Sequence, residues 1–143
     1  MMKRAVQLIR LPAPDRADFL EALALCTVAS ILLKVLRFSR IAPRLGRHMA
    51  ESPPHQPRVT SGQVRRIRWA IATAARILPW KPMCLPQAVT AQWMLRRRAI
   101  PSTLYLGTDP SQNYDAHAWV RVGAVIVTGG PHHRRFAVVS TFA

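Results

Sequence analysis

Acidic side chains are scarce: six Asp and Glu stand against 21 Lys and Arg in 143 residues, a formal net charge of +15. Such an imbalance points to acidic partners such as nucleic acid, an anionic membrane surface or an acidic peptide. The arginines are scattered, however, and no recognised nucleic-acid motif accompanies them, so nucleic acid is not expected as a partner. Cysteine is also scarce. Cys26 and Cys84 alone make no disulfide framework, and without a CxxC or a mixed Cys/His cluster they make no zinc site. Neither a metal nor another cofactor is expected, and a reducing, cytoplasmic setting fits this cysteine usage. Long apolar runs are missing too. The uncharged run from Ala22 to Leu33 has 12 residues, fewer than the roughly 20 that cross a bilayer, and membrane contact is not expected. Three acids before that run, and no small-residue cleavage site after it, speak against a secretory signal. No internal repeat or low-complexity tract is present.

Half of the residues are hydrophobic, enough for one domain with a core. Residues 1–14 are basic and end in Leu-Pro-Ala-Pro, an extended lead-in. Asp15 and Asp18 mark a helix N-terminus before FLEALALCTVASILLKVL, which is expected to run to about Phe38. Being apolar nearly all round, that helix needs a cover from the core or from a partner. The Pro-, Gly- and Ser-rich stretch near residues 47–60 reads as a linker. Thr60 or Ser61 can cap the next helix, in which Val64, Ile67, Ile71, Ala74 and Leu78 form one stripe. Arg65, Arg66, Arg68 and Arg76 then face outward, and Pro79 ends the helix.

The stretch from Cys84 to Pro101 reads as an amphipathic helix with a cysteine in its first turn. Leu85, Ala88, Val89, Ala91 and Leu95 recur at helical spacing, and Pro86 is tolerated only near a helix start. Arg96, Arg97 and Arg98 fall where the carbonyl end of the dipole favours cations. Beyond it the pattern changes from period 3.6 to period 2. STLYLGT, AHAWVRV, GAVIVTGG and FAVVSTF read as an antiparallel meander. Helices followed by strands indicate an α+β fold. The expected division is a helical extension and linker over residues 1–55 and a catalytic domain over residues 56–143.

A thiol at a helix N-terminus meets unpaired N–H groups and a partial positive charge, which favour thiolate over thiol. Cys84 is therefore a candidate nucleophile; the plainer alternative is a small buried hydrophobe. His117 lies inside the AHAWVRV strand and shares a face with Trp119, while Ala118 and Val120 take the other. A helix-borne cysteine with a strand-borne histidine is the arrangement of papain-like and transglutaminase-like enzymes. Asp115, two residues away, shares the His117 face and is a candidate to orient the ring; a solvated turn residue is the alternative. Asn113 or a backbone carbonyl can serve in its place. Gln87, one turn after Cys84, is either an oxyanion donor or a plain helix-surface amide. Trp80 is either a packing residue or part of the cleft beside the thiol. The pair His132-His133 reads as a solvated loop rather than a metal site, and Cys26 as inert core.

CLPQAVTAQWMLRRRAIPSTLYLG, followed by AHAWVRV and by VTGGPHHRRFAVVSTF, resembles the lasso-peptide leader peptidases. These are the stand-alone peptidase halves of split lasso-peptide maturation proteins, within the transglutaminase-like cysteine proteases. The resemblance implies a transglutaminase-like or papain-like core, a cysteine helix packed on a small antiparallel sheet. It implies removal of the leader from a ribosomally made precursor, with Cys84 attacking the scissile carbonyl and His117 as base and then acid. It also implies the precursor's leader peptide, a separate leader-recognition protein and a macrolactam-forming cyclase as partners. Members of that family often carry an Asp about a dozen residues after the histidine. This chain has Thr128-Gly129-Gly130 there and no acid beyond Asp115. A catalytically silent scaffold that binds precursor and cyclase is the alternative function.

Overall fold

The computed structural model describes residues 7–56, 61–113 and 115–143. Residues 7–9 are helical where an extended lead-in is expected, and the long helix α1 (Ala13–Val35) starts ahead of the expected acids because Pro12 and Pro14 fit a helix start, where a missing N–H costs nothing. Asp18 consequently falls inside the helix, where it is buried. The helix ends three residues short of Phe38: Leu36 turns extended (ψ 149°) while its N–H still donates to the Leu32 carbonyl. Phe38–Ile41 forms a separate turn, α2, continued by a 3-10 turn at Ala42–Arg44. Of the expected linker, residues 57–60 lie outside the described residues, and with them one of the two expected caps, Thr60.

Helix α3 (Ser61–Ile77) buries Val64, Ile67, Ala70, Ile71 and Ala74, so the expected stripe packs inward. Arg66 departs from its expected outward direction. Its Nε donates to Asp18 at 2.9 Å and lies 3.8 Å from Asp15. Helix α4 (Cys84–Arg97) is enclosed by more than its apolar face: Thr90 and Gln92 are fully buried. Gln92 is tolerated because every polar atom of its amide is used. Its Nε2 donates to the carbonyls of Leu45 and Phe142, and its Oε1 accepts from Ser102.

The strands are β1 (Thr103–Asp109), β2 (Asp115–Val122), β3 (Val125–Thr128) and β4 (Ala137–Phe142). They form one antiparallel sheet in the order β3-β2-β1-β4. The expected meander holds for β1 to β3, joined at Gly123 by a two-residue turn. The last strand departs from it and returns to pair beside β1, which is a Greek-key order. Gly107 pairs with His117, and Asp109 with Asp115.

Alternation along β2 separates two environments. Ala118, Val120 and Val122 face the helices and join Leu104, Val127 and Phe142 in the main core. The opposite face carries Tyr105 stacked on Trp119 at 5.3 Å, with Arg121 donating to the Tyr105 hydroxyl. Phe19, Ala22 and Ala29 of α1 belong to the same cluster as Val89, Leu95 and Val120. The N-terminal helix thus shares one core with the rest, on both sides of the division expected at residues 55–56. Leu20, Val28, Ile31 and Val35 of α1 stay exposed on its far side.

Candidate active site

Cys84 is the first residue of α4 and is half-buried. Met83 precedes it in extended conformation, and no side chain caps the helix. The first turn therefore offers two N–H groups without a partner among the described residues, those of Cys84 and Leu85; Pro86 has none to offer. The Gln87 N–H already reaches back to the Met83 carbonyl at 3.4 Å. The Gln87 side chain braces the approach to the helix: its Nε2 donates to the Pro82 carbonyl at 2.8 Å. Trp80 is tied sideways instead of toward the thiol, its indole N–H donating to Ser30 of α1 at 3.2 Å.

His117 lies on the outer face of β2 in an aromatic slot. Its ring is 4.7 Å from that of Phe136 and 5.8 Å from that of Trp119. Nε2 donates to the Gly129 carbonyl at 2.7 Å. A carbonyl only accepts, so this bond fixes the tautomer: Nε2 carries the proton and Nδ1 keeps its lone pair. Asp115 does not hold the ring. It is exposed at the strand start, and the orienting partner comes from position 129, twelve residues after the histidine.

Only a glycine fits at that position. Gly129 has φ +94°, and a Cβ there would collide with the Trp119 side chain and lie 2.8 Å from the Trp119 Cα. An Asp cannot be accommodated, and the backbone carbonyl takes the bond. Gly129 also lines, with Gly130 and Gln87, a cavity beside the cysteine helix. Among the described residues no hydrogen bond links the Cys84 sulfur to the His117 ring. The sulfur belongs to the helix layer, whereas the ring emerges on the far face of β2.

Elsewhere, His133 donates from Nδ1 to the Gly130 carbonyl at 3.2 Å, and the side chain of His132 lies outside the described ones. No cluster of three or more metal-binding side chains occurs among the described residues. Cys26 is fully buried in α1, and burial pushes its thiol pKa up against the lowering effect of the Thr90 hydroxyl. Asp109 is held below the ordinary carboxylate range, first by the Ser111 hydroxyl and then by the Ser111 N–H and Arg135. The sequence does not single out Gly129 within its Thr-Gly-Gly stretch.

A cysteine at the mouth of a core helix, packed on a small antiparallel sheet that carries a histidine, defines an α+β fold of cysteine-based enzymes. The transglutaminase-like superfamily matches residues 23–141, most of the chain, and the protein belongs to that superfamily. Such proteins are in general cysteine proteases or acyltransferases. No curated protein and no solved structure matches the chain. No helix among the described residues is long and apolar enough to cross a membrane.

Proposed function

We propose that this protein is a cysteine peptidase that removes the leader from a ribosomally made lasso-peptide precursor. The observation that supports the reading is a half-buried cysteine at the uncapped start of a helix in a transglutaminase-like chain, which also carries a strand histidine held at Nε2 by the Gly129 carbonyl. In this reading precursor binding brings sulfur and ring within reach, the Cys84 thiol gives its proton to Nδ1 of His117, and the thiolate attacks the scissile carbonyl. The N–H groups of Cys84 and Leu85 receive the developing oxyanion; one such donor contributes roughly 3 kcal/mol. His117 then protonates the leaving amine, and water releases the acyl group from sulfur. A carbonyl at Nε2 orients the ring but brings no negative charge to the imidazolium. The ion pair is accordingly weaker than one backed by a carboxylate.

The precursor's leader, a separate leader-recognition protein and a macrolactam-forming cyclase are the partners in this reading, in the cytoplasm where the precursor is made. The exposed α1 stripe and the positive charge are the surfaces offered to them. The test is to incubate precursor and leader-recognition protein with this chain and to weigh the products. Wild type releases the leader and Cys84→Ala does not. Cleavage by Cys84→Ala would end the peptidase account. A second reading, a catalytically silent scaffold for precursor and cyclase, is favoured by the absence of a hydrogen bond between the Cys84 sulfur and His117. It predicts binding of the precursor and no product from wild type.

A further inference from the structure

The chemistry above uses only the end of the groove between α3 and β3, where Gly129 and Gln87 lie. Two cavities of about 370 and 490 Å³ lie end to end there and share Arg68. The first is walled by Val64 and Arg65 of α3 and by the β2–β3 turn. The second is walled by Ile71 and by residues 126–130, and it ends at Gln87, one turn inside the cysteine helix. The apolar part of the walls is aliphatic, one histidine lines each cavity (His55 and His133), and neither cavity is lined by Phe, Tyr, Trp or any acid. Arg65 and Arg68 are exposed and have no ion-pair partner, although all six acids of the chain are among the described residues.

A second observation points to a ligand. Thr128 is only 7% exposed and lines the larger cavity, yet its hydroxyl, itself without exposed surface, has no hydrogen-bond partner among the described residues. Among the described residues the buried Oε1 of Gln56, on the smaller cavity, has none either. Such groups are normally satisfied, and a polar chain running past both would satisfy them. The stretch of α3 from Ser61 to Ala72 is roughly 17 Å long, the reach of about five extended residues.

We propose that this groove binds an extended, acidic segment of a peptide. Its carboxylates meet Arg65 and Arg68, its main chain bonds to the Thr128 hydroxyl, and its aliphatic side chains fill the walls. The segment runs toward Gln87 and hence toward the mouth of Cys84. Aliphatic walls favour a peptide over single-stranded nucleic acid, which relies on aromatic stacking platforms. The direction of the chain rests on the peptidase reading; binding itself needs no chemistry.

The full chain carrying Cys84→Ala is titrated with a fluorescein-labelled peptide, Gly-Val-Glu-Val-Glu-Val-Gly, and followed by anisotropy. A version with Gln for Glu, a labelled oligothymidylate and sodium phosphate are the controls. The acidic peptide binds about tenfold or more tighter than its Gln version, and Arg65→Glu with Arg68→Glu removes that advantage. Thr128→Val weakens binding about fivefold while leaving the melting temperature unchanged or higher, which a merely structural hydroxyl would not do. Equal binding of the Gln peptide overturns the proposal, as does an unaffected double variant. Tighter binding of the oligothymidylate, or displacement by phosphate at the peptide's own concentration, overturns it too. Leader cleavage at unchanged KM in the double variant sinks the groove and leaves the peptidase standing. Arginine-dependent peptide binding by a wild type that cleaves nothing does the reverse.

Discussion

The two ends of α4 are provided for in opposite ways. At the carbonyl end, Arg98 donates to Asp18 at 2.7 Å and to Glu21 at 2.6 Å, and Arg97 lies 3.2 Å from Glu21. Arg98 also donates to the Met94 carbonyl, so cations neutralise the end of the dipole and fill its acceptors. At the amide end, among the described residues, no side chain caps the helix and the N–H groups of Cys84 and Leu85 have no partner, and Met83 is 76% exposed. Three of the chain's six acids, Asp15, Asp18 and Glu21, serve the closed end, two of them gripping α4 directly and Asp15 lying beside Arg66. The lesson is that one helix is clamped at one end so that its other end can be held open in a fixed place.

The comparison breaks most sharply at the sulfur. Cys84→Ser is expected to lower leader cleavage by about a thousandfold or more without lowering the melting temperature, whereas Cys26→Ala leaves the cleavage rate intact. Iodoacetamide followed by peptide mapping would add to this by labelling Cys84 and sparing Cys26 in the folded protein.

At the closed end the effect should appear in stability instead. Arg98→Ala leaves Asp18 with Arg66 alone and Glu21 with Arg97 alone, and is expected to cost about 2 kcal/mol in urea unfolding, with KM for precursor nearly unchanged. If it lowered activity while leaving stability untouched, the clamp would be misassigned.

Gly129→Ala sharpens the contrast from the histidine side. A Cβ at that position meets Trp119, so unfolding free energy should fall by about 2 kcal/mol. The carbonyl moves with it, and the His117 ring signals in NMR should broaden or shift. Gly129→Asp meets the same obstacle and should not gain activity.

The smallest effect concerns Cys26. Its pKa is raised in the folded state by burial, so the folded chain holds this proton more tightly than the unfolded chain does. The stability contribution is complete below the unfolded thiol pKa and is lost as pH rises through the folded one. Denaturation followed above about pH 9 should therefore show a decline that Cys26→Ala lacks.

Much of the architecture was legible before any coordinates. The stripe on α3 and the extent of α4 follow from apolar spacing, and the strand positions from alternation, because each depends on a local period. Apolar spacing carries α1 to about Phe38, but Val35 is exposed, Leu36 turns extended, and Phe38 packs on the core from a separate turn. The return of β4 to the edge of β1 has no local signature at all; it is a long-range pairing.

What the sequence by itself determined is the chemistry within reach: a cysteine where a helix must begin, a histidine within a strand, and too few acids to supply a carboxylate downstream. Tertiary structure alone decided who holds the histidine and which arginines stay free. The carbonyl of Gly129 reaches Nε2 only because β3 pairs beside β2, and no periodicity encodes a backbone atom as a partner. Arg66 turned to Asp18, while Arg65 and Arg68 were left facing a groove. Neighbouring arginines on one helix are alike in sequence, and only the surface that packs against each one tells them apart.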